Sequence, residues 1–178
     1  EAVDPGQREA ALAMGMRPAL LMRRVILPQA FRIALPPYGK TPSSLALVDI
    51  DYFKAINLHH GLAAGDEFLI GFAEFLRIVS PEDISISRVG GSRFGLLFPG
   101  WCAVRAKSAC SEVVKVLDKL AYSDWEGRFT ITASVGLSPV TADVDQTVKA
   151  AETALRFARA KGGNMVASHP IPGSSMSG

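Results

Sequence analysis

Two aspartates, Asp49 and Asp51, close the apolar run Leu45-Ala46-Leu47-Val48 and lead into Tyr52-Phe53-Lys54-Ala55-Ile56-Asn57. Carboxylates placed at a strand end can hold a divalent cation, and metal-assisted phosphoryl transfer needs such cations on its phosphates and a group that orients the attacking hydroxyl. A second segment, Arg88-Val89-Gly90-Gly91-Ser92-Arg93-Phe94, has a glycine pair that permits a tight turn with positive φ before the apolar run Phe94-Gly95-Leu96-Leu97-Phe98 resumes. The turn presents Ser92 and Arg93 at its tip. Neither is a hard anionic ligand for Mg²⁺. Serine can complete a metal shell as a neutral ligand, but it neutralises no charge and assists no deprotonation as a carboxylate could. Arg93 can instead set positive charge near a triphosphate.

The elements around these residues alternate as in an α/β fold. The pattern predicts strand 45–50, helices near 52–58 and 64–79, strands 84–89 and 93–98, helix 102–121, strand 128–138, helix 145–161 and strand 164–168. Phe68, Leu69, Phe72, Phe75, Leu76 and Val79 recur at helical spacing as one broad apolar stripe, which reads as core.

These segments, together with Gly61, Gly65 and Asp66, Thr132-Ala133-Ser134-Val135-Gly136, and Ala154-Leu155-Arg156-Phe157-Ala158-Arg159, resemble the GGDEF (diguanylate cyclase) family over about residues 44–167. The resemblance implies one domain, 44–168, with a mostly antiparallel central sheet flanked by helices, as in the cyclase and polymerase palm. It implies that Asp49 and the Ile50 carbonyl bind Mg²⁺, with Ser92 and Arg93 standing where the family has two acids, so that any Mg²⁺ site is weakened. It assigns guanine recognition to Asn57 and Asp66 and phosphate contacts to Lys54 and Arg159, with GTP as the ligand. Read by residue type alone, Asn57 equally suits a turn or helix-end cap and Asp66 an N-cap of a helix over 67–79. Gly163 stands where the family has an arginine, and Leu58 and Leu62 where it has Asp and His, which makes the pocket less polar. The family's inhibitory Arg-x-x-Asp motif falls on Pro81-Glu82-Asp83-Ile84, which lacks both residues at the required positions, so cyclic di-GMP is not expected there.

At 178 residues and 48% hydrophobic content the chain can bury one substantial core. Its formal charge is +2, with six Lys/Arg against three Asp/Glu in residues 1–40 and −1 in the remainder, a bias too small to suggest nucleic-acid binding. No uncharged apolar run approaches the roughly 18 residues of a membrane span, and no signal peptide opens the sequence, so a cytoplasmic location is expected. Cys102 and Cys110 lie about 12 Å apart along a helix axis, too far for a disulfide. The neighbouring His59 and His60, with no Cys cluster nearby, read as a solvated loop.

Residues 1–43 read as an atypical N-terminal helical segment that Pro18, Pro28, Pro36 and Pro37 would break. Gly6 to Gly15 and Val25 to Gly39 resemble the EAA loop of polar-amino-acid ABC-transporter permeases, which implies an ABC ATPase subunit as a partner. Packing of an amphipathic Glu9–Leu27 segment on the rest of the chain is the structural alternative. Residues 169–178 read as a flexible tail. The expected function is a catalytically impaired GGDEF domain acting as a regulatory or GTP-sensing module in cyclic di-GMP signalling, partnered by a second copy or another signalling domain. The alternatives are an active diguanylate cyclase joining two GTP molecules across a homodimer, and a transporter-associated interaction module.

Overall fold

The computed structural model describes residues 42–124 and 127–169, with side chains described outside 121–130. Strand β1 (Ser44–Ile50) is the centre of the architecture, and all seven of its residues are buried. It pairs antiparallel with β3 (Arg93–Phe98) on one side and with β6 (Ala133–Pro139) on the other. Strand β2 (Ser85–Gly90) adds antiparallel to β3, and β7 (Val166–Ser168) adds parallel to β6, giving the order β2-β3-β1-β6-β7. The expected mostly antiparallel sheet flanked by helices is therefore present.

Side-chain alternation along β1 decides which helix covers which face. Ala46, Val48 and Ile50 enter a core with Leu69, Phe72 and Leu76 of α1 (Phe53–Val79) and with Val113 and Leu117 of α2 (Ala103–Lys119). Leu45 and Leu47 pack instead against Val148, Ala151 and Leu155 of α3 (Val144–Ala160). Asp49 continues the second set, so its carboxylate emerges on the α3 side of the sheet. Helix α3 can lie close there because β6 carries Gly136, where a Cβ would run into the backbone of Ala151 and Leu155. Asp143 caps α3 by accepting from the Gln146 amide at 3.1 Å.

Two expectations about elements are corrected. The strand expected over 128–138 is two strands, β5 (Gly127–Thr130) and β6, and β5 forms a separate two-stranded sheet with β4 (Ala121–Asp124). The break has a cause at Thr132, whose carbonyl accepts from Asp51 N at 2.9 Å and whose hydroxyl donates to Asp51 Oδ2 at 2.8 Å. The helix expected to reach 121 ends at Lys119, because β4 begins at Ala121. The two helices expected near 52–58 and 64–79 are both present within α1, separated at Gly61, whose non-helical φ of 85° and ψ of 166° only glycine adopts readily.

Candidate functional site

Three parts of the chain far apart in sequence converge where β1 ends: the β2–β3 turn, the start of α1, and the loop that leaves α3. Gly91 has a φ of 57°, which suits a residue without Cβ. The turn is braced from outside by Arg88, which donates from Nε and Nη2 to the Gly91 carbonyl at 3.1 and 2.9 Å. Below the turn, Ile50 N donates to the Ser92 carbonyl at 3.3 Å. The sheet register then sets Arg93 directly opposite Asp49.

The Asp49 side chain is 4% exposed and is surrounded by donors. Ser92 Oγ donates to its Oδ1 at 2.6 Å, and Arg159 Nη1 donates to its Oδ2 at 2.9 Å. Arg93 Nη2 stands 3.5 Å from the same Oδ2, while Arg93 Nη1 reaches Glu152 of α3 at 3.8 Å. A buried carboxylate without a partner costs several kcal/mol. Here the chain supplies the compensating charge from two of its own guanidinium groups.

Asp51 is spent on structure. It accepts from Thr132 Oγ1 at 2.8 Å, Ser134 Oγ at 2.7 Å and Asn164 N at 2.9 Å. Asn164 and Tyr52, which flank this carboxylate, are the two non-glycine residues with positive φ among the described ones, at 51° and 54°. Gly163, with φ of 78°, lies so close that an added Cβ would press on the Asp51 carboxylate.

A cavity of about 540 Å³ opens beside these groups, lined among others by Lys54, Asn57, Ser92, Arg159 and Gly163. Ile50 also lines it, and because the Ile50 side chain is in the core, its main chain is what faces the opening. This volume suits a small-molecule ligand. Asn57 neither caps nor ends a helix. Its amide lies over Gly65, and its buried Oδ1 has no hydrogen-bond partner. Asp66 follows Gly65 inside the second half of α1, so it is no N-cap, and it is exposed outside the cavity lining. Leu58 and Leu62 are 83% and 74% exposed, which leaves them in solvent rather than in the core. His59 and His60 lie on α1 rather than in a loop, and among the described residues no group of three or more His, Cys, Asp or Glu is placed to hold a metal.

The sequence pointed to Asp49, Ile50, Lys54, Asn57, Asp66, Ser92, Arg93 and Arg159; the fold places seven of these at the cavity or around the Asp49 carboxylate, and leaves Asp66 exposed outside the lining. It missed the anchoring of Asp51 and the Glu152 contact to Arg93, for which no local signal exists. Pro81 to Ile84 lie between α1 and β2, where Asp83 Oδ2 accepts from Trp101 Nε1 at 2.8 Å, a packing role. The N-terminal segment and its permease-like motif fall outside the described residues.

The family model for diguanylate cyclase, GGDEF domain, matches residues 21–165, and so begins within the segment read as permease-like. The probable diguanylate cyclase DgcE of Escherichia coli (strain K12) is 31% identical over 121 residues, which cover 66% of this chain and 11% of that protein. The chain thus spans only a small part of that relative. Among solved structures, diguanylate cyclase SiaD in complex with its activator SiaC from Pseudomonas aeruginosa matches with a TM-score of 0.74 at 25% identity, over 92% of this chain and 67% of that one. The GGDEF domain of DgcB from Caulobacter crescentus, in complex with c-di-GMP, shares the fold with a TM-score of 0.69 at 24% identity, over 75% and 78% of the two chains.

Proposed function

This chain belongs to the GGDEF (diguanylate cyclase) family, and from that premise we propose that it is a catalytically silent member, acting as a regulatory, GTP-sensing module in cyclic di-GMP signalling. One observation carries the reading: the Asp49 carboxylate is engaged by Ser92, Arg159 and Arg93, with no acid across the hairpin to share a cation with it. Phosphoryl transfer between two nucleotides needs its 3′-hydroxyl activated and its developing charge stabilised. Ser92 does neither as a carboxylate and metal would, and loss of one such group typically costs about 10²- to 10³-fold in rate.

Binding is better supported than turnover. Asn57 lines the cavity and has an unpartnered amide oxygen buried against Gly65, and Asp66, exposed just outside the lining, is the next residue after that glycine. An amide and a carboxylate suit the donor and acceptor edge of guanine. Lys54 and Arg159 line the same cavity and suit the phosphates.

The rival reading, an active cyclase that tolerates Ser92 and joins two GTP molecules across a homodimer, draws on the same cavity and on Asp49 at the end of β1. Incubation of the protein with GTP and Mg²⁺ or Mn²⁺, followed by chromatography, separates the two. No cyclic di-GMP is expected. Product forming at about 1 s⁻¹ or faster, an ordinary enzymatic rate, would establish the rival.

A further inference from the structure

We infer that this site carries its counter-charge internally, so that the cavity takes the polyphosphate of a nucleotide without a divalent cation, Arg93 compensating Asp49 while Arg159 and Lys54 meet the phosphates. The inference rests on the nucleotide-binding reading above and goes beyond it by specifying how the phosphates are neutralised.

The residues present do not fit Mg²⁺. That ion demands near-octahedral oxygen ligands, usually one or two carboxylates together with phosphate oxygens and water. Of the three carboxylates at hand, Glu152 faces Arg93 at 3.8 Å, and Asp51 already accepts two hydroxyls and a backbone amide. Asp49 accepts the Ser92 hydroxyl on Oδ1 and faces both guanidinium groups at Oδ2. A cation approaching Oδ2 would meet two guanidinium groups, at 2.9 and 3.5 Å from that oxygen, and the repulsion opposes binding.

The two arginines are not equivalent. Arg93 sits between Asp49 and Glu152, its Nε buried and without a partner, and its side chain is 33% exposed. It is the fixed counter-charge, placed by the register opposite Asp49. Arg159 is 46% exposed, lines the cavity, and gives one Nη to Asp49. A guanidinium carries five donors in a rigid fork, so Arg159 can turn its remaining donors, or the whole fork, to a phosphate while Arg93 keeps Asp49 compensated. Lys54 lines the same cavity and adds a further cation for a chain of phosphates.

The test is calorimetric titration of GTP into the full chain, once with Mg²⁺ and once with EDTA. Equal affinity in the two buffers, within about threefold, is expected. Arg159→Gln, checked for folding by circular dichroism, should weaken binding about tenfold in EDTA. Affinity that rises tenfold or more on adding Mg²⁺ overturns the inference and leaves the nucleotide-binding reading standing. Absence of binding in both buffers overturns both. Independently, Mn²⁺ alone should keep its free-ion paramagnetic resonance signal in the presence of the protein, and stoichiometric loss of that signal would contradict the internal counter-charge.

Discussion

Asn57 is the residue whose chemistry is least explained by packing alone. Its Oδ1 is buried against Gly65 without a hydrogen-bond partner, while the residue lines a cavity that a ligand could enter. An unsatisfied buried acceptor costs about 1–3 kcal/mol, so turning the amide toward a ligand donor in the cavity regains what folding leaves unmade. Asn57→Ala should therefore weaken GTP binding at least tenfold and erase its preference over ATP, as competition titrations would read. Unchanged affinity would return Asn57 to a structural role. Gly163 makes the opposite case. By family pattern an arginine here would clamp phosphate, but the backbone holds φ at 78° and a Cβ would press on the Asp51 carboxylate. Gly163→Arg should consequently lower the denaturation free energy by about 1–3 kcal/mol rather than restore a clamp. An unchanged urea midpoint would show that the α3–β7 loop yields more readily than this geometry implies.

At the scale of elements, the close approach of α3 to β6 over Gly136 is what brings Arg159 to the end of β1. Gly136→Ala forces a methyl into the backbone of Ala151 and Leu155, and overpacking of this kind costs about 1–3 kcal/mol. The same variant should loosen the Arg159–Asp49 bond, so its GTP affinity should fall together with its unfolding midpoint. Helix α2 offers a second check. Cys110 is buried on its inner face, which pushes its thiol up to about 12, whereas Cys102 at the helix start is exposed. Iodoacetamide at pH 8 should alkylate Cys102 and spare Cys110 until the protein unfolds, as peptide mass mapping would read. Because the folded value lies above the ordinary 9.0, the contribution of Cys110 to stability is complete below pH 9.0 and is lost as pH rises toward about 12. Strands and helices with clear periodicity, such as β1 and α1, were legible from sequence. The β4–β5 hairpin was not, because what separates β5 from β6 is the bonding of Thr132 to Asp51, a partner 81 residues away.

At the scale of the whole molecule, the palm-like sheet was legible because the strand-ending aspartates and the Gly-Gly turn lie on neighbouring strands and mark the same end of the sheet. What the sequence left open is how the side chains there pair. Ser92 and Arg93 could be recognised as replacements for acids, but only the fold reveals that Arg159 arrives from α3 to join Arg93 on one carboxylate oxygen, or that Asp51 is tied down by Thr132, Ser134 and Asn164. The central claim is that Asp49 and the hairpin tip form one site whose metal chemistry is silenced by what stands at positions 92 and 93. Its most direct measurement is the Mg²⁺ dependence of GTP affinity in the double variant Ser92→Asp, Arg93→Glu, compared with the parent by calorimetry. The account predicts that Mg²⁺ tightens binding at least tenfold in the double variant and not in the parent, since a second carboxylate then faces Asp49 and one repelling cation is gone. A folded double variant that binds GTP no better with Mg²⁺ than without would contradict it, because Asp49 and the hairpin would then not share a site.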